Sequence, residues 1–318
     1  MSRKFALTMV LMIFLTGMLI MALKVQRVES SDTIYIMADG SVSPDTAPIS
    51  STDNISYTFT GNIIYDKIVV QRNNIIIDGK DFTIEGTEAF NVRGIDLSSR
   101  RNITVKNVKI TKFYYGIYCF GIGHNFVFEN NITSNTYGVY LWSSGDNNIS
   151  RNDVENNDYG ISLSSSGNND ISGNNIENND YGIWLQSSWD NIIHSNRISG
   201  SNTGVWASGS GNKFYDNEFI DSWLGHASIL TGSNIWDDGY PSGGNYWDDF
   251  EEKYLTVEDI YSGEFQNETG SDGIWDHPYL VDAEDVDHYP KVPEFPSFLI
   301  LPLFMIATLL VVIIHGRR

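Results

Sequence analysis

The segment ENNDYGI stands at Glu155–Ile161 and again at Glu177–Ile183, a step of 22 residues. Aligning the chain on the glycine of YGI extends that step to Gly94, Gly116, Gly138, Gly160, Gly182 and Gly204, and the next copy arrives one residue early at Gly225. Other columns keep the same period. Val127, Ile149, Ile171 and Ile193 form one, Ile132, Val154, Ile176 and Ile198 a second, and Ile117, Val139, Ile161, Ile183 and Val205 a third. A fixed repeat of this length marks a solenoid.

Within each repeat the apolar residues come as short β-branched pieces separated by Asn, Gly, Ser and Asp. No helical apolar period survives two turns, so the pieces read as strands and corners. Three strands and three corners per 22 residues make one coil of a parallel β-helix. Each side chain then lies about 4.8 Å above its equivalent in the coil below. One coil buries about five apolar side chains at ~1.5–3 kcal/mol each. Ordering its backbone costs ~1 kcal/mol or more per residue, so a coil folds only when stacked on neighbours.

The polar columns fit the same geometry. Asn130, Asn152, Asn174, Asn196 and Asn217 recur at one corner, where an amide can donate to one neighbouring coil and accept from the other. The glycine column predicts a corner with positive φ. Tyr115, Tyr137, Tyr159 and Tyr181 precede those glycines as an aromatic stack.

Outward from the repeat, the chain divides into residues 1–30 (signal), 31–55 (N-terminal cap), 56–230 (β-helix of about seven coils), 231–291 (acidic, aromatic-rich C-terminal cap) and 292–318 (motif, span and basic tail). The first segment has a basic start and an apolar run from Phe5 to Leu23, an export signal cleaved after Ser30 or retained as an anchor. Phe298–Ile314 is a 17-residue apolar stretch followed by HGRR, and is predicted as a transmembrane helix with Arg317 and Arg318 inside. The domain between is therefore expected on the outer face of the cell. Sequons at Asn54, Asn102, Asn131, Asn148 and Asn267 are candidate glycosylation acceptors there.

Between residues 31 and 294 there are 14 basic and 39 acidic residues. So negative a surface excludes nucleic acid as a partner, since phosphate binding needs clustered Lys and Arg. The single cysteine, Cys119, excludes a disulfide framework and a thiolate metal cluster.

The YGIxLxxS…NxI…N repeats resemble those of the NosD-type family of right-handed parallel β-helices, within the pectin-lyase-like superfold. The block NIWDDGYPSGGNYWDDF (Asn234–Phe250), with Asp259–Pro290 after it, is similar to the C-terminal extension of archaeal exported members. VPEF (Val292–Phe295), the apolar span and the terminal arginines resemble a PEF-CTERM sorting signal. The resemblance implies an all-β, single-stranded right-handed β-helix, export, and handling by an archaeosortase. It also raises copper, because the family includes copper-delivery accessory proteins. The six histidines form no H-x-H and Cys119 sits in an inward column, so copper is not expected.

Carbohydrate is the better ligand. Tyr118, Tyr140, Ser162, Trp184 and Trp206 form an outward column, beside a second that holds Phe120 and Trp142. Rings stepped about 4.8 Å apart can stack on successive sugars. The alternative is that the C-terminal block folds back over this face, as its Trp236, Trp247 and Trp275 would allow. Catalysis would fall to Asp153, Glu155 and Glu177, outward carboxylates of adjacent coils. Calcium would fall to Asp237, Asp238, Asp248, Asp249, Asp272 and Asp276, acids that flank glycines in the C-terminal block.

The predicted function is a surface-anchored protein that recognises envelope or extracellular polysaccharide. Its alternatives are a structural or adhesive envelope protein, a polysaccharide lyase or hydrolase, and a copper-delivery accessory protein.

Overall fold

The computed structural model describes residues 33–255 and 258–293. The signal segment and the predicted span Phe298–Ile314 lie outside the described residues. Among the described residues no helix is long and apolar enough to cross a membrane.

Each coil contributes one strand to each of three parallel sheets. In one coil these are Tyr137–Trp142 in a long sheet, Asn148–Ser150 in a second and Asp153–Glu155 in a third. The three sheets hold ten, nine and nine strands in coil order, about eight turns of a right-handed β-helix. That is more than the seven expected, because the solenoid begins inside the stretch assigned to the cap. Thr33–Ile36 already pairs in parallel with Lys67–Val70. Two short antiparallel strands, Val42–Ser43 and Ile49–Ser50, close the open N-terminal edge against further pairing.

The register follows the columns. Val127, Ile149, Ile171, Ile193 and Phe214 align in the second sheet, and Ile132, Val154, Ile176, Ile198 and Phe219 in the third. Their side chains are buried and form one continuous core.

The glycine column has a different cause from the one expected. Gly94 to Gly204 lie in the long sheet and none has positive φ. Close approach excludes a side chain instead, since a Cβ on Gly138 or Gly160 would lie 2.6 Å from the next glycine's carbonyl oxygen. Left-handed conformation falls on other corner residues, such as Arg151 (φ 54°), Asn156 (φ 56°) and Asn168 (φ 57°). Such a residue carries a strain of ~1–3 kcal/mol and persists only where its surroundings hold it.

What fixes these corners is the asparagine that follows each of them. Asn152, Asn157 and Asn169 belong to three buried ladders, of which Asn130 to Asn217 is the one legible column above. In each Asn–Asn rung the backbone N–H and the side-chain amide donate to Oδ1 of the asparagine one coil on, and the third ladder ends where Asn179 N–H donates to Ser201 Oγ. Asn152 donates to Asn174 Oδ1 from both groups at 2.9 Å, and its amide also reaches Val127 O and Ser150 O. Every rung therefore points toward the C-terminal end.

At that end the core and two of the ladders are closed by the cap. Trp236 stacks on Phe214 (4.2 Å, 10°), Trp247 on Phe219 (4.4 Å, 12°), and Tyr279 on Trp247 (4.2 Å, 4°). Trp275 packs on Phe250. The cap tryptophans plug the end of the solenoid and do not lie over the outward aromatic column, which corrects the fold-back alternative. Asp285 accepts from Asn234 and Trp236, and Asp287 from Asn245 and Trp247.

Candidate functional site

The long-sheet strands alternate inward and outward. Val139 and Leu141 enter the core while Tyr140 and Trp142 face out, and the neighbouring coils repeat the pattern. The outward rings pack on one another. Tyr137, Tyr159 and Tyr181 stack at 4.6 and 5.2 Å within 9° of parallel. Trp184 and Trp206 stack at 3.7 Å and 6°. Tyr159 and Tyr181 both meet Trp184 edge-on. Within this stack the rings contact one another, and no sugar ring enters between them. The tyrosines and tryptophans of the stack are half-buried. Burial pushes the Tyr115 hydroxyl up to about 12 and Tyr137 higher still, so both remain neutral hydrogen-bond donors.

The five predicted residues divide. Tyr118 is buried, its ring covered by the Arg93 guanidinium 3.8 Å from the centroid, and is not available to a ligand. Tyr140, Trp184 and Trp206 are half-buried by their stacking neighbours. Trp142 is 45% exposed and sits beside Phe120, 38% exposed, at 5.0 Å. The face therefore has a closed stack and an open aromatic pair. Asp158 and Asp180 border it, one residue before Tyr159 and Tyr181. Burial, and then the Asp180 charge, raise the Asp158 carboxyl. Asp180 accepts the amide of Asn202 at 2.8 Å.

The acids considered for catalysis sit in the third sheet. Glu155 aligns with Glu177, but Asp153 aligns with Asn131 and Asn175. Asp153 lines a cleft of about 370 Å³ together with Lys109, Glu129 and Arg151, from which Glu155 and Glu177 are absent.

The six acids considered for calcium are dispersed. Asp237 accepts from His288 and Gly239, Asp238 pairs with Lys213, Asp272 accepts from Gly263 and Ile274, and Asp276 accepts from Ile260 and Tyr261. Only Asp248 and Asp249 converge, and they do so on a histidine. His226 Nε2 lies 2.7 Å from Asp248 Oδ1 and 3.4 Å from Asp249 Oδ1. The repeat alignment hid this residue by assigning Gly225 to the glycine column. Pairing puts Gly225 opposite Thr203, so His226 occupies the glycine position of the last coil. Of the sequons, Asn54, Asn102 and Asn267 are exposed, while Asn131 and Asn148 are half-buried in strands.

The residues do not fit copper of the soft-ligand kind. Cys119 is fully buried and burial pushes its thiol up to about 12, so it offers no thiolate. Among the described residues no two histidines meet in one metal-ligating group.

Among solved structures, the chain is similar to a double mutant of the periplasmic alginate epimerase AlgG, at 16% identity and a TM-score of 0.46, over 70% of this chain and 74% of that one. It is also similar to the A-module of mannuronan C-5 epimerase AlgE4 of Azotobacter vinelandii, at 12% identity and a TM-score of 0.41, over 68% and 85%. DFA-IIIase of Arthrobacter chlorophenolicus A6 without its lid matches at 11% and 0.38, over 58% and 57%. These likenesses are of fold alone. No curated protein matches the sequence. The family model described as periplasmic copper-binding protein (NosD) matches residues 29–252, well over half of the chain, and the chain belongs to that family.

Proposed function

We propose that the protein binds an extracellular polysaccharide, uncharged rather than anionic, along the outer face of the long sheet. The observation that carries this reading is the set of outward aromatic rings on the long sheet, interrupted at Ser162, which the cap leaves uncovered and beside which stands the exposed pair Phe120 and Trp142. A glycan would lie across the ring edges. It would stack on Trp142 and bond through its hydroxyls to the tyrosines and to Asp158 and Asp180. Charge selects among glycans: the chain carries a net −20, and Arg93 on this face is already engaged by Asp96 and Tyr118. An anionic polymer would meet repulsion.

Membership in a family described as periplasmic supports export. Anchoring through Phe298–Ile314, with or without archaeosortase processing, rests on the sequence pattern and belongs to the same proposal. A structural role is the second reading, and one observation favours it: the stacked rings from Tyr137 to Trp206 satisfy each other without a ligand. Binding of the full chain to a panel of neutral and uronate polysaccharides separates the two. Retention by neutral polymers supports recognition, and retention by none supports the structural role.

A further inference from the structure

We infer that His226, Asp248 and Asp249 form a divalent-cation site of the zinc class, which pins the C-terminal cap to the last coil. In the six preceding coils this backbone position is glycine. At Gly204 a Cβ would lie 2.4 Å from the His226 carbonyl oxygen, whereas His226 is in the last strand of the long sheet and has no coil above it. A side chain becomes possible there for the first time, and the residue present is an imidazole. It is 6% exposed and lies near the rings of Phe219 and Trp247.

The two acids come from the cap. Asp248 also accepts the Asp221 N–H at 2.7 Å and Asp249 the Tyr279 hydroxyl at 3.1 Å, so both are held from outside the cluster. One nitrogen and two carboxylate oxygens lie within 4.8 Å of one another. With zinc–ligand bonds of about 2.0–2.2 Å, tetrahedral ligand atoms stand about 3.3 Å apart. The His226–Asp249 separation of 3.4 Å already matches, and the 2.7 Å His226–Asp248 contact needs only a small opening.

A second observation points to a missing partner. Six buried side-chain polar atoms lack a hydrogen bond among the described residues, and three of them belong to this end of the solenoid: Ser222 Oγ, His226 Nδ1 and Asp249 Oδ1. Asp249 Oδ1 faces His226 Nε2 at 3.4 Å and makes no well-formed hydrogen bond. A buried carboxylate oxygen whose one neighbouring nitrogen stands at metal-ligand spacing is what a cation would complete. Nitrogen with two carboxylates suits zinc, cobalt or manganese better than calcium, which takes six to eight oxygens.

Cobalt tests the site directly. The full chain, stripped with chelator, is titrated with Co²⁺ and followed by its visible d–d absorption, then back-titrated with Zn²⁺. The expected result is one saturable band per chain that Zn²⁺ abolishes, with affinity reduced about tenfold or more in Asp249→Asn. Asp237→Asn, outside the cluster, serves as a control and leaves the titration unchanged. Because His226→Gln risks misfolding, Asp249→Asn is the deciding variant, and far-UV circular dichroism confirms its β structure. No saturable band from the folded chain would overturn the site and leave a plain His–Asp ion pair. Unchanged cobalt affinity in Asp249→Asn would overturn it as well.

Discussion

The carboxylate of Asp287 accepts both polar groups of Asn245, the backbone N–H at 2.7 Å and the side-chain amide at 3.3 Å. Asn245 itself accepts from Asn217, which accepts from Asn196, and so on down the corner. Each rung both donates and accepts, so a ladder of any length leaves one set of donors at its last rung. An aspartate accepts and need not donate, and Asp285 closes the neighbouring ladder in the same way. The Trp247 indole and the Tyr289 N–H complete the set around Asp287.

Replacing the terminator shows what it contributes. Asp287→Asn leaves one acceptor oxygen and sets its amide hydrogens against the Tyr289 N–H or, turned over, against those of Asn245 and Trp247, and is expected to destabilise the chain by about 1–3 kcal/mol at pH 8. Urea denaturation measures this. Stability equal to the wild type would mean that the ladder does not need an acceptor at its end.

The same residue gives a pH signature. Burial is the largest influence on Asp287 and pushes its carboxyl up to about 7 from an ordinary 3.8, against the N–H groups that favour its charge. Between those values the folded chain holds a proton that the unfolded chain has released. The resulting stabilisation is complete below about pH 4 and is lost as pH rises toward about 7. The stability of the wild type relative to Asp287→Asn should therefore fall across that window. Parallel pH profiles for the two proteins would contradict the assignment.

An aspartate inside a ladder should do harm. Asn152→Asp removes the amide that serves Asn174, Val127 and Ser150, and buries a carboxylate against three acceptor oxygens. The expected loss is about 3–5 kcal/mol. Thermal and urea melts of this variant beside Asp287→Asn test whether position along the ladder decides the sign of the contact.

The glycine column makes a steric prediction. In Gly160→Ala the new methyl lies 2.6 Å from the Gly182 carbonyl oxygen, and a cost of about 1–3 kcal/mol follows from overpacking. Gly61→Ala, whose nearest neighbour would be 3.8 Å away, should change stability by less than about 0.5 kcal/mol. Equal effects would remove close approach as the reason for the column.

Much of this was legible because the solenoid turns spatial stacking into a period. Ile149 and Ile171 are equivalent in sequence and adjacent in space, so the columns gave the strands, the register and one amide ladder directly. The legible part stops where the repeat does. Asp285 and Asp287 have no counterparts along the chain, and their role appears only when residues 234 and 245 are brought against them. His226 was masked by a one-residue shift that assigned the column to Gly225. The aromatic columns align in register, but spacing along a ladder says nothing of how side chains tilt or which of them are covered. Tyr118 shows this: its exposure is decided by Arg93 one coil below.

The central claim is that the outer face of the long sheet holds a glycan, and the most direct measurement compares the full chain with a Tyr140→Ala, Trp142→Ala, Trp184→Ala, Trp206→Ala variant. Both are titrated with the neutral polysaccharide that the wild type retains, and reducing ends are assayed in parallel. The account predicts that the variant keeps its β-sheet signal and loses binding by about tenfold or more, equivalent to ~1.4 kcal/mol, with no sugar released. Undiminished binding by the folded variant would contradict it and move the ligand to another face.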